Sequence, residues 1–116
     1  MDVIIPDDLF PYFEICGTRK NYAPGEMIRP EAQNNERLYL VESGRVRVYC
    51  SNASGRELPL RIMGKGRLIG EDVFVEFTGA KTAVSAVNEV TVVSCSVEEL
   101  FPYIVESEAL LRAILR

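Results

Sequence analysis

The chain has no histidine, and that absence removes whole classes of chemistry. Metalloenzymes on small β-barrels usually take imidazole ligands, and Ser-His-Asp or Cys-His nucleophile systems need the ring as base. No nucleophile–base pair or metal set replaces it, so the chain reads as a non-enzyme with no metal and no cofactor. Cysteine is scarce as well: Cys16, Cys50 and Cys95 are odd in number and widely spaced. That fits neither a disulfide framework nor a CxxC motif. They read as reduced, mostly buried thiols, with no basic cluster beside them to favour the thiolate. No apolar run is long enough to span a bilayer, and Met1 to Asp8 lacks the basic and apolar regions of a signal peptide. The expected location is cytoplasmic, without a membrane partner. Basic clusters are missing too: 13 Lys+Arg stand against 17 Asp+Glu, for a net charge of -4, and Arg19-Lys20 is the one adjacent basic pair. This argues against nucleic-acid binding by these residues.

What is present is ordinary globular composition, 47% apolar and 26% charged, at a length of 116 residues that suits one domain. Between Pro24 and Ser96 short strand patterns alternate with turn residues, which predicts a compact antiparallel barrel or roll. The strands are expected at Met27 to Pro30, Arg37 to Glu42, Arg45 to Cys50, Glu57 to Met63, Lys81 to Val87 and Val90 to Cys95. Alternation is cleanest in Arg45-Val46-Arg47-Val48-Tyr49-Cys50, which places Val46, Val48 and Cys50 inward and the arginines outward. Ser43-Gly44, Asn52-Ala53-Ser54-Gly55 and Asn88-Glu89 read as turns, and Pro24-Gly25 has the form of the central pair of a type II turn.

Helical patterns flank this region. An entry helix is expected from about Pro6 to Ile15, with Pro11 placed to split it and Gly17 beyond its end. Ser96-Val97-Glu98-Glu99 is a capping box that starts a second helix, with Pro102 as a kink or restart. From Ser107 to Arg116 an apolar stripe of Leu110, Leu111, Ile114 and Leu115 needs a surface to pack on, either the roll or a second copy. A helix of that size, about 15 Å long, is marginal alone. Leu9-Phe10-Pro11-Tyr12 recurs as Leu100-Phe101-Pro102-Tyr103, but four residues without surrounding similarity do not make a repeat.

Arg67-Leu68-Ile69-Gly70-Glu71 carries the clearest chemical signal. An Ile-Gly-Glu that leaves a strand and opens a short helix offers free backbone N–H groups to an anion. Glu71 adds an acceptor suited to hydroxyls, and Lys81, ten residues later, is a cation able to close over the anion. Each of these also has a bland reading. Gly70-Glu71 serves as a turn and cap, with Asp72 favourable at a helix start. Lys81 serves as an exposed strand residue and Thr82 as a β-former.

Taken together, Pro24-Gly25-Glu26, Leu38 to Val48 with Ser43-Gly44 at its centre, Gly55, Gly66 and Ile69-Gly70-Glu71 resemble the cyclic-nucleotide-binding domain. With the flanking helices, the chain looks like the effector domain of CRP/FNR-type bacterial transcription regulators. The resemblance implies a mainly β fold with flanking helices, a double-stranded β-helix of jelly-roll type whose interior holds a small effector. It implies an effector-binding unit over residues 1–106, the start of a dimerisation helix over 107–116, and a DNA-binding helix-turn-helix that these residues do not include. The effector site implied is Gly70, Glu71, Asp72, Lys81 and Thr82, with Leu60, Ile62 and Val84 as inward apolar neighbours. Leu110, Leu111, Ile114 and Leu115 are implied in homodimerisation.

Two departures from the cyclic-AMP pattern bear on the ligand. Lys81 stands where the family's nucleotide binders carry arginine, keeping the charge but losing the planar fork that makes two parallel bonds to phosphate. Val73 replaces a small residue, and Asp72 and Glu76 add negative charge. Ile4-Ile5-Pro6-Asp7 with Phe10-Pro11 resembles the N-terminal segment of halorespiration regulators, which respond to halogenated phenolic acids. A small organic anion is therefore the expected effector. A cyclic-nucleotide receptor and a ligand-free dimerisation or interaction domain stand as alternatives. The single cysteine near the N-terminus, Cys16, does not supply the set an iron–sulfur sensor needs.

Overall fold

A computed structural model describes residues 3–30, 37–51, 53–70 and 82–115. A 3-10 turn at Asp7–Leu9 leads into α1 (Phe10–Cys16), then β1 (Thr18–Tyr22) and β2 (Met27–Arg29). β3 (Arg37–Ser43), β4 (Val46–Ser51), β5 (Glu57–Met63) and β6 (Leu68–Ile69) follow. β7 (Ala83–Ala86) and β8 (Val90–Ser96) come next, and α2 (Val97–Glu106) and α3 (Glu108–Ile114) end the chain. Among the described residues the strands form two four-stranded antiparallel sheets, ordered β1-β8-β3-β6 and β2-β7-β4-β5. This is the expected jelly-roll with flanking helices.

β3, inside the first sheet, is buried on both faces, which explains why it reads as a continuous apolar run. Leu38 and Leu40 face α1, α2 and α3, in a cluster with Phe10, Phe13, Leu100 and Leu110. Their neighbours Tyr39 and Val41 face the second sheet, where Ile28, Val46, Val48, Met63, Val84 and Ala86 meet them. The period of two along one strand thus divides the molecule into a helix-side core and an inter-sheet interior.

The capping box forms in both directions: Glu99 N–H donates to Ser96 Oγ at 3.0 Å, and Ser96 N–H donates to Glu99 Oε1 at 2.7 Å. Pro102 lies inside α2, and the helix restarts not there but at Ser107, whose Oγ accepts from Leu110 N–H at 3.2 Å. The entry helix divides into the 3-10 turn and α1, with Pro11 in the first turn of α1, where its missing N–H costs least. Gly17 sits past α1 as expected but for a different reason. Its backbone is extended, and a Cβ there would lie 2.6 Å from the carbonyl oxygen of Ser94, so glycine allows β1 to approach β8.

Two strands escape the sequence pattern. β1, Thr-Arg-Lys-Asn-Tyr, is polar and mostly exposed, held by its register with β8 from Thr18↔Ser94 to Tyr22↔Val90. β6 has two residues, pairing Tyr39↔Ile69 and Leu40↔Leu68, and on its other side the N-terminal segment donates Ile5 N–H to Gly66 O at 2.7 Å. Both strands depend on partners far away in sequence. In β4, Val46 and Val48 face inward, but Cys50 is only half-buried and Tyr49 is buried on the opposite face. The register jumps from Val48↔Arg61 to Tyr49↔Pro59, so Leu60 is an extra residue that breaks simple alternation.

Candidate functional site

The expected effector site lies where β6 ends and β7 begins. β6 is followed by Gly70, which is buried and has φ +98°, a left-handed conformation that glycine adopts without steric cost. Ile69 and Val84 belong to the same inter-sheet cluster, so the end of β6 and the strand after Thr82 border one interior. Val84 is fully buried there, as expected. Glu71, Asp72 and Lys81, and with them Val73 and Glu76, lie outside the described residues.

Leu60 and Ile62 do not line this interior. They are 54% and 57% exposed, against 7% for Met63. Met63 pairs with Val46 on the inward face, and the period of two then turns Ile62, opposite Arg47, to the outside. The bulge at Leu60 sets it outside the ladder. Because β5 is an edge strand, no described strand covers these residues from beyond it.

The dimerisation stripe needs a similar correction. Leu110 and Ile114 are buried in the chain's own helix-side core, whereas Leu111 and Leu115 are 38% and 65% exposed. Positions four apart share a helix face, so the two pairs diverge. Leu111 and Leu115, with Pro6, Ala109 and Arg112, line a surface groove.

A residue that sequence reasoning missed enters the interior beside Thr82. Arg29 is 8% exposed, and its Nη2 donates to Thr82 Oγ1 at 2.5 Å and to Thr82 O at 3.2 Å. In β2 the register goes from Met27↔Ser85 to Arg29↔Val84, so one extra residue on β2 brings Arg29 onto the face of Val84. Without that bulge Arg29 would share the face of Met27. Pattern reading had no signal for it, since alternation alone predicts an arginine facing solvent. On the opposite face of the same sheet Tyr49 Oη and Ser85 Oγ are 2.9 Å apart, a buried polar pair that satisfies itself next to Met27 Sδ.

Two of the three thiols, Cys16 and Cys95, are disfavoured as nucleophiles. Burial pushes Cys95 up to about 12 and raises Cys16 as well, which disfavours the thiolate at neutral pH. A charged cluster joins α1, β1 and β3 on the surface: Arg19 donates to Glu42 at 2.8 Å and also pairs with Glu14. Burial opposes ionisation of Glu42, yet its bonds with Arg19 and Glu14 hold its carboxyl below the usual range. Glu14 moves the opposite way, raised first by its hydrogen bond with Glu42.

The cyclic nucleotide-binding domain family matches residues 19–106, most of the chain. The chain belongs to this family. Over 53 residues it is 38% identical to the cyclic AMP receptor protein of Thermus thermophilus, covering 46% of this chain and 24% of that protein. It is 29% identical over 100 residues to the CRP-like cAMP-activated global transcriptional regulator of Mycobacterium tuberculosis, covering 83% of this chain and 45% of the regulator. The structure of oxidised CprK in complex with o-chlorophenolacetic acid superposes with a TM-score of 0.81 at 18% identity, over 97% of this chain and 46% of that one. The cyclic nucleotide-binding domain match and the CRP-like relatives agree with the resemblance seen in the glycine turns. The chain spans less than half the length of these curated relatives. Among the described residues no helix is long and apolar enough to cross a membrane.

Proposed function

We propose that these residues form the effector-sensing domain of a CRP/FNR-type transcription regulator, and that the effector is a small organic anion held inside the roll between the Gly70 turn and Thr82. The observation that carries this reading is the end of β6: a buried left-handed glycine before Glu71, in a family whose members are named for nucleotide binding. Such a turn leaves backbone N–H groups for an oxyanion. Both ligands named with the relatives above, cyclic AMP and o-chlorophenolacetic acid, combine one acidic group with an aromatic ring system. Lys81 in place of a forked guanidinium favours the simpler acid. Halorespiration-type specificity belongs to this proposal.

In the full regulator, DNA binding belongs to chain outside these residues, and α3 opens a helix that pairs two copies through its exposed Leu111 and Leu115. An effector that prefers one packing of those helices shifts the population toward it. The names of the curated relatives favour a second reading, a cyclic-AMP receptor in which Lys81 serves adequately.

Thermal denaturation of the chain with cyclic AMP, cyclic GMP and a panel of aromatic acids separates the readings. A ligand at about 100 times its Kd adds roughly 2.7 kcal/mol. Stabilisation by an aromatic acid is the expected result. Stabilisation by cyclic AMP alone establishes the second reading, and no shift with any ligand points to an interaction domain whose interior is filled.

A further inference from the structure

We propose that the outer face of α2 is a docking surface for a basic segment of another protein, one that presents an apolar side chain flanked by lysine or arginine. This goes beyond the effector reading and does not depend on it. α2 turns Leu100 and Ile104 into the helix-side core, and the next positions, Phe101 and Val105, stand one turn apart on the outside at 57% and 67% exposure. Pro102 is exposed beside them. A phenylalanine and a valine left in water on one helix face contribute little burial to the fold of this chain. An aromatic ring so placed is the type of side chain that anchors a protein interface.

The charges around this pair select the partner. From Val97 to Leu111 the sequence holds Glu98, Glu99, Glu106 and Glu108 and no lysine or arginine. Glu99 is engaged in the capping box, and Glu108 pairs with Arg112 at 2.6 Å. None of the described ion pairs includes Glu98 or Glu106. Glu106 ends α2 at the negative pole of its dipole, with no basic residue in the last turn to offset it. Pro102 has no N–H, so the Glu98 carbonyl lacks the bond that residue 102 would otherwise donate within the helix. The face therefore carries negative charge and acceptors toward both ends of an apolar pair, and cations brought by a partner would meet them. The same charges disfavour other occupants. Acidic lipid headgroups and nucleic-acid phosphates are repelled. A twofold contact with a second copy would set like charges against each other.

The test is fluorescence anisotropy of two labelled helical peptides with the same apolar pattern, one of leucine and lysine and one of leucine and glutamate, titrated with the chain. The lysine peptide should bind and the glutamate peptide should not. Phe101→Ser and Val105→Ser should each weaken the lysine peptide by about tenfold. Glu98→Gln and Glu106→Gln should each weaken it by about threefold at low salt, and that difference should vanish near about 1 M salt. Ile62→Ser on β5 and Glu89→Gln between β7 and β8 control for indiscriminate apolar and electrostatic adsorption, and both should stay within about twofold of wild type. Thermal melting checks that each variant folds, and Val105→Ser decides if Phe101→Ser does not. Equal binding of the two peptides, an unchanged Kd in the folded α2 variants, or an equal loss in the controls overturns the proposal. So does sedimentation showing that Phe101→Ser converts a dimer of the chain to a monomer, because the face then belongs to a second copy.

Discussion

The two faces of the first sheet have been given different work. Toward the helices, Leu38, Leu40 and Val93 meet Phe10, Phe13, Leu100 and Leu110, all large and apolar. Toward the second sheet, Tyr39, Val41 and Val92 meet smaller residues, among them Val46, Val84 and Ala86, and there a buried arginine enters beside Val84. A core built for cohesion alone has no use for a guanidinium, whose desolvation opposes folding. The helix side is apolar throughout, and the inter-sheet side takes in one charged side chain, which bonds to Thr82.

Removing cohesion from the helix side should have the largest effect. Phe13 is fully buried between α1 and the sheet, so Phe13→Ala should cost about 3–5 kcal/mol in urea unfolding. Any ligand still bound by the folded fraction should keep its wild-type Kd. A loss of affinity in that fraction would show that the two faces are coupled. The capping box tests the same face at its edge. Ser96→Ala should cost about 1 kcal/mol by thermal melting.

The pH dependence of that cap has a definite sign. Bonds from the Ser96 backbone, then its side chain, hold the Glu99 carboxyl below its ordinary 4.5. A carboxyl lowered in the folded state stabilises above its unfolded pKa, and that stability is lost as pH falls through the lower folded value. Wild type should thus lose stability below about pH 4.5 more steeply than Glu99→Gln, and parallel acid melts of the two would exclude the cap as the cause. The smallest effect belongs to the outer surface of β5. Ile62→Ser should change stability by less than about 0.5 kcal/mol, because Ile62 is already 57% exposed. A cost of several times that amount would mean that the residue is covered in solution.

Where local signals agreed with tertiary need, the sequence was sufficient. Ser96 and Glu99 mark the start of α2, Ser107 marks that of α3, and Glu57 to Met63 is a strand with the expected ends. The turn at Pro24-Gly25 closes with Glu26 N–H on Ala23 O at 3.0 Å, and Gly25 has φ +82°. Gly70 and Val84 are buried as expected, whereas Leu60 and Ile62 turn outward, because inward and outward were assigned from alternation without knowing the register. In α3 the same limit applied: a stripe of four leucine and isoleucine side chains identifies an amphipathic helix but not which pair its own core takes.

Glycine turns, caps and apolar periodicity act over a few residues, so the chain alone determined its family, its roll of short strands and the starts of its last two helices. Register and bulges depend on residues far apart in sequence. Only the tertiary structure therefore decided that polar β1 is a strand, that Leu110 and Ile114 belong to the chain's own core, and that Arg29 turns inward to meet Thr82.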